Sequence, residues 1–282
     1  MSLPKPSITV NVDATNPGQF FACCALLELA SRLSASAEAW FTETQFHVAN
    51  APTDTITQFL EAGVLPVDDG DATQEGDDKS DSTVSKSTAV FLDAPFKLFL
   101  NWWREPEAVN ARLKTWSAGQ KVMDLFTGTT KHRKGKKGEK TTYSPSMRDH
   151  FRHVYEANPT DWLNATTVTD SPMPFCYDSR LCRKAALDGG HTSFGMLAFS
   201  PAIDVLVHVA FQRFRPRVIR PWVQNAFCTW RVPLGVSVAP AAVIGAVPHV
   251  VLEYYEFPIR RCDAAGKYKL FDHAQPSRRH HD

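Results

Sequence analysis

Residues Ile8 to Val12 alternate in polarity and are mostly β-branched, which predicts a strand. Asn16-Pro17-Gly18 then turns the chain into a helix, with Asn16 suited to the N-cap and Pro17 to the first helical position. From Gln19 to Leu33 the apolar residues Phe20, Phe21, Cys24, Leu27, Leu29 and Leu33 cover more than one helical face, so the helix is expected to pack on two sides, central to the fold. Thr42 to Val48 reads as a strand and Thr53 to Ala62 as a short helix ending at Gly63. Val90 to Leu92 and Phe96 to Leu100 follow as short strands, and Pro106 to Phe126 as a helix. Farther on, Ser144 to Glu156 predicts an amphipathic helix, Pro174 to Asp178 a short strand, and Pro201 to Phe214 an apolar helix stopped by Pro216. Val223 to Val232 reads as a strand and Val236 to Val247 as a short Ala-rich helix. Val250 to Ile259 and Tyr268 to Phe271 read as a hairpin around Ala264-Ala265-Gly266. No βαβ rhythm links these elements, so the expected class is α+β, with mixed strands and helices around the apolar helix.

Two polar stretches interrupt the pattern. Between Pro66 and Thr88 seven acids face only Lys79 and Lys86 in a tract with almost no apolar content, which predicts a disordered acidic insert over about 68–87. TTKHRKGKKGEKTT sets Lys131, Arg133, Lys134, Lys136, Lys137 and Lys140 against the single Glu139, with glycines that oppose a helix, so 128–142 reads as a mobile basic loop. These features divide the chain into an N-terminal α+β region (1–127), the loop, and a C-terminal α+β region (143–282), the two regions being separate or one continuous domain.

Composition narrows the class further. A 282-residue chain that is 43% hydrophobic has enough apolar material for a sizeable core. It lacks an apolar run of membrane-spanning length, and its start lacks a secretory signal, so a cytoplasmic protein is expected. The six cysteines form no C-x-x-C pair and read as buried thiols. Gly-x-Gly-x-x-Gly and the P-loop are absent, and no cofactor is implied. His150 and His153 stand three apart on a predicted helix without the carboxylate of a metalloprotease motif, and read as a surface helix. The terminal His280-His281-Asp282 lies in a polar tail where nothing fixes ligand distances. Asp178, Asp188 and His191 are the remaining acid/base group, at a spacing that matches no catalytic arrangement.

Nucleic acid is the partner class that the charge pattern favours. From Val205 to Leu252 there is no Asp or Glu, whereas Arg213, Arg215, Arg217, Arg220 and Arg231 appear without a lysine, interleaved with Phe214, Trp222, Phe227 and Trp230. Arginine forks suit phosphates and base edges and stack on aromatic rings. The competing interpretation is a buried apolar region whose arginines reach acidic groups elsewhere in the chain. The basic loop is either a solvated charge run or a source of salt-sensitive attraction for phosphate backbone. Trp102, Trp103 and Trp116 suit a core or a subunit interface better than a base-stacking platform.

The segment VNVDATNPGQFFACCALLELASRL, from Val10 to Leu33, resembles the N-terminal signature of the large-subunit proteins of type I-U (also called I-G) CRISPR effector complexes, known as Cascade. LNWWREPEAVNARLKTWSAGQKVMDLF is similar to the tryptophan-rich middle of that family, and PFCYDSRLCRKAALDGGHTSFG with Pro201 to Val247 is similar to its C-terminal half. The acidic insert and the basic loop fall outside the resemblance. The resemblance implies a non-catalytic subunit for antiviral defence that supports adjacent-motif recognition and strand separation in target double-stranded DNA, sequence reading being left to guide pairing. It implies as partners the Cascade backbone and guide-handle-binding subunits, the CRISPR guide RNA and a recruited helicase–nuclease, with no membrane. The residues expected to meet nucleic acid are the six cations of the basic loop and the five arginines. Asn16, Gln19, Trp102, Trp103, Trp116, Gln120 and Trp222 are the expected interface or stacking positions. A purely structural assembly subunit that contacts guide RNA or protein only is the alternative, and a metal-dependent nuclease is the third.

Overall fold

The computed structural model describes residues 3–67, 89–115, 121–135, 138–169, 175–181, 197–261 and 269–277. The expected acidic insert over 68–87 lies outside these residues, as do Trp116, Gln120, Lys136, Lys137, Asp188 and His191. The chain is α+β, with antiparallel pairing throughout its described strands.

In chain order the first part comprises β1 (Ile8–Asn11), α1 (Pro17–Leu33), β2 (Glu38–Phe41), β3 (Gln45–Ala49), α2 (Thr55–Glu61), β4 (Val64–Val67), β5 (Ala89–Leu92) and β6 (Leu98–Leu100). Next come α3 (Pro106–Asn110), α4 (Met123–Phe126), β7 (Thr129–Gly135), β8 (Gly138–Ser144), α5 (Met147–Ala157), β9 (Thr167–Thr169) and β10 (Leu197–Phe199). The last part holds α6 (Pro201–Ala210), β11 (Arg217–Arg220), β12 (Gln224–Trp230), β13 (Leu234–Gly235), α7 (Ala239–Val243), β14 (Val251–Arg261), β15 (Lys269–Phe271) and β16 (Gln275–Pro276).

One sheet has the order β1-β3-β2-β13 and a second β11-β12-β14-β15, with β16 also on β14; β4-β5-β6 form a third. Strand β13 comes from the C-terminal region yet completes the N-terminal sheet, pairing Leu234 with Ala39. Helix α1 is buried from Pro17 to Ala30 on every face. Its Phe20 ring stacks on Phe227 of the second sheet at 4.1 Å and on Phe41 of the first at 5.3 Å. The Trp230 indole N–H donates to the Ala39 carbonyl at 2.7 Å, closing the two sheets over the helix. Gly18 lets α1 approach the following layer, because a Cβ there would lie 2.3 Å from the Tyr177 carbonyl oxygen.

Three expected elements differ. The helix expected over Pro106 to Phe126 stops at Asn110, ahead of Arg112 with its positive φ of 56°, and among the described residues the next helix is the short α4. Pro174 to Asp178 is not a strand over its described residues. Cys176 has φ of 61°, and the Phe175 and Tyr177 N–H groups donate to the Asp204 carboxylate at 2.8 and 3.4 Å instead of to a sheet neighbour. The expected mobile basic loop is an antiparallel ribbon, β7 with β8, in continuous register from Thr129↔Ser144 to Gly135↔Gly138.

Candidate nucleic-acid interface

The ribbon register distributes the charges. Arg133 pairs with Lys140 and Lys134 with Glu139 in the backbone register. The base of the ribbon is tied to α5 by a capping box, in which the Ser146 hydroxyl accepts from the Asp149 N–H and Asp149 accepts from the Ser146 N–H at 2.8 Å. Tyr143 also donates to Asp149 at 3.2 Å, and its ring crosses Gly128 so closely that a Cβ there would lie 2.2 Å from the hydroxyl. Burial alone raises the Asp149 pKa, but the Ser146 N–H and hydroxyl, Tyr143 and Arg148 outweigh it and hold the carboxyl below its usual range. Arg148 in turn donates to the Ala62 carbonyl at 2.8 Å, fixing α5 against the end of α2.

The five arginines separate into different surroundings. Arg213 Nε donates at 2.6 Å to Glu28, a buried α1 carboxylate that Arg32 engages on its other oxygen at 2.8 Å. Arg215 donates to Glu105 at 2.6 Å and to the Phe211 carbonyl at 3.0 Å, and this contact holds the Glu105 carboxyl below its usual range. Both are engaged by carboxylates of the chain itself, although the Arg213 side chain stays 41% exposed. Arg231 is exposed and donates to the His249 carbonyl at 3.3 Å. Arg217 and Arg220 are exposed on β11, the edge strand of its sheet. Their odd spacing would set them on opposite faces, but a bulge between Val218 and Arg220 pairs Arg217 with Ala226 and Arg220 with Gln224. Those partners are two apart, so both arginines share one face.

Trp102 and Trp103 are interior, at 0% and 3% exposure, which fits the core alternative of the sequence reading and not an interface or stacking position. The Trp102 indole donates to the His208 carbonyl at 2.9 Å. Asn16 caps α1 by accepting from Gly18 N–H at 3.1 Å and donates to Asp178 at 2.7 Å; Gln19 donates to Asn164 at 2.9 Å. Both are fully buried, so neither meets a partner chain, again unlike the expectation. Trp222, at 49% exposure, is the expected stacking residue that does face solvent.

Asp178, expected in an acid/base group, forms a buried ion pair with Arg180 at 2.6 Å and accepts from Asn16 and Ser200. Its desolvation is outweighed by Arg180, Ser200 and Asn16, which hold its pKa down and keep it a structural anion. His150 packs edge-on against Phe199 at 5.6 Å, whereas His153 is exposed on α5. Among the described residues no three His, Cys, Asp or Glu side chains cluster as metal ligands, and no helix is long and apolar enough to cross a membrane. Sequence reading missed the partners that matter most: Glu28 and Glu105 lie about 185 and 110 residues from the arginines they hold, and Arg112, which stacks on Trp222, carried no local signal. Compared with protein-family models, with curated proteins and with solved structures, the chain matches none.

Proposed function

We propose that the chain is a non-catalytic, nucleic-acid-contacting subunit of a CRISPR RNA-guided surveillance complex, filling the place of the large subunit that its sequence resembles. The observation that carries the reading is the β7–β8 ribbon, a paired segment whose sequence holds Lys131, Arg133, Lys134 and Lys140 against the single Glu139. Such a concentration of cations attracts phosphate backbone without regard to sequence, by displacing condensed counterions. In this role the ribbon steadies target double-stranded DNA while guide pairing reads the sequence. The partners are the backbone and guide-handle-binding subunits, the guide RNA and a recruited helicase–nuclease, and the complex is cytoplasmic.

The test is co-purification of the full chain with guide RNA and the remaining subunits, followed by binding of a target duplex at two salt concentrations. Replacing Lys131, Arg133 and Lys140 by glutamine should weaken matched and motif-altered duplexes alike and reduce the salt slope by about 2–3. Unchanged duplex binding removes the ribbon from the DNA interface. A specific observation favours the alternative of a purely structural subunit: Arg213 and Arg215 are engaged by Glu28 and Glu105 within the chain itself. That reading gains if the complex assembles with the chain but binds duplex equally well without it.

A further inference from the structure

Trp222 occupies the turn between β11 and β12 with φ of 69°, and Arg112 occupies the turn after α3 with φ of 56°. Bulky residues rarely enter this left-handed region, because the Cβ crowds the backbone there. The two unusual conformations converge on one contact. The Arg112 guanidinium lies 5.0 Å from the centroid of the Trp222 ring, and the Trp222 N–H donates to the Asn110 carbonyl at 3.1 Å. With a guanidinium over one side of the indole, the residue is still 49% exposed, and Val223 and Val109 are each 47% exposed. A tryptophan that served only packing would turn inward, as Trp102, Trp103 and Trp230 do.

The charge around this ring points to an anionic, π-faced ligand. Arg220 precedes Trp222 by two residues, and the β11 bulge brings Arg217 to the same face of the sheet. Glu256 on β14, which pairs with Ala226, already accepts from Gln224 and Ser277, and Gln224 accepts from Arg220 at 3.1 Å. Bases of a duplex expose their edges in the grooves, whereas an unpaired base exposes its face.

We infer that Trp222, backed by Arg112, is a stacking platform for an unpaired base of a single-stranded nucleic acid, with Arg220 and Arg217 taking neighbouring phosphates. The base lies on the open side of the indole while Arg112 holds the ring from behind. Stacking of this kind accepts every base, since each has a π-face. The inference rests on the proposed nucleic-acid role but not on the ribbon, which supplies backbone attraction alone.

The test uses the full chain and three labelled probes of about 12 nucleotides: a single strand, the same strand with abasic sites, and a blunt duplex. Wild type should prefer the normal strand to the abasic one by roughly tenfold. Trp222→Ala should lower affinity for the normal strand to the abasic level and leave the other two probes unchanged, whereas Trp222→Phe should retain most of the preference. Arg217→Gln with Arg220→Gln should weaken both single strands alike and reduce their salt slope by about 1.4. Glutamine at Lys131, Arg133 and Lys140 should leave the normal-to-abasic ratio intact, so failure of the ribbon role and failure of the platform are separately visible. The inference is overturned if wild type does not bind the single strand or does not distinguish it from the abasic strand. It is overturned equally if Trp222→Ala loses all three probes together, or if that variant keeps the base preference and loses protein subunits on co-purification, which would make the patch a protein contact.

Discussion

Two pairs of arginines within eight residues have opposite fates. Arg213 and Arg215 follow α6 and donate to acids from distant parts of the chain, Glu28 on α1 and Glu105 before α3. Arg217 and Arg220 are carried by an edge strand and exposed on one face of its sheet. Residue type is the same; what differs is whether the fold brings a carboxylate within reach. An arginine-rich segment therefore becomes a candidate ligand surface only after the carboxylates available to it have been located.

The sharpest way to break the comparison is to strand the buried acid. Removing both partners of Glu28 with Arg32→Ala and Arg213→Ala should destabilise the protein by about 3 kcal/mol in urea unfolding, because a desolvated carboxylate is left unpaired. Adding Glu28→Gln should recover much of that loss. If the double variant unfolds like wild type, Glu28 is not a buried anion and the distinction between the arginine pairs fails.

A second test concerns charges that the interior suppresses. Burial raises the Asp204 carboxyl to about 7 against the N–H groups of Phe175 and Tyr177, and burial lowers His208 to about 3. The Asp204 contribution is fully present below its unfolded value of 3.8 and is lost as pH rises toward 7. The His208 contribution is fully present above 6.5 and is lost as pH falls toward 3. The two slopes oppose each other between 3.8 and 6.5, so wild-type stability should be nearly flat there. Asp204→Asn should expose the histidine slope, with stability rising by about 1.4 kcal/mol per pH unit across that window. A variant that stays flat would place neither group in the interior.

Smaller effects separate the remaining arginines. Arg215→Ala should cost about 1 kcal/mol, since its partner Glu105 is partly solvated and such pairs are screened. Arg217→Gln with Arg220→Gln should change stability by less than about 0.5 kcal/mol. A larger loss, read by the same unfolding curves, would show these two also serve the fold.

Local chemistry made much of the fold legible. Asn16-Pro17 marks the start of α1, and the β14–β15 pairing follows from alternation in Tyr268 to Phe271. Long-range contacts were not legible. The helix expected through Arg112 stops because Arg112 adopts the conformation that carries it to Trp222, and Asn225 donates to the Ala111 carbonyl at 3.1 Å, a contact a continuing helix would contest. The basic segment pairs as a ribbon because Thr129 to Thr130 and Thr141 to Ser144 are β-favouring residues at its base, a signal that the six cations between them obscured. At the candidate site the exposure of Trp222 was anticipated, but the interior fate of Asn16, Gln19, Trp102 and Trp103 depends on partners up to 163 residues away.

The bond from Asn16 to Asp178 spans 162 residues of sequence. At ribosomal rates the aspartate is synthesised on the order of ten seconds after the asparagine it receives. Until then the first helix has a capped end but no anion behind the cap, and its apolar surface awaits α6, which is made later still. During synthesis the first half of this protein therefore leaves that apolar surface uncovered, and fragments cut before Asp178 should aggregate instead of folding alone.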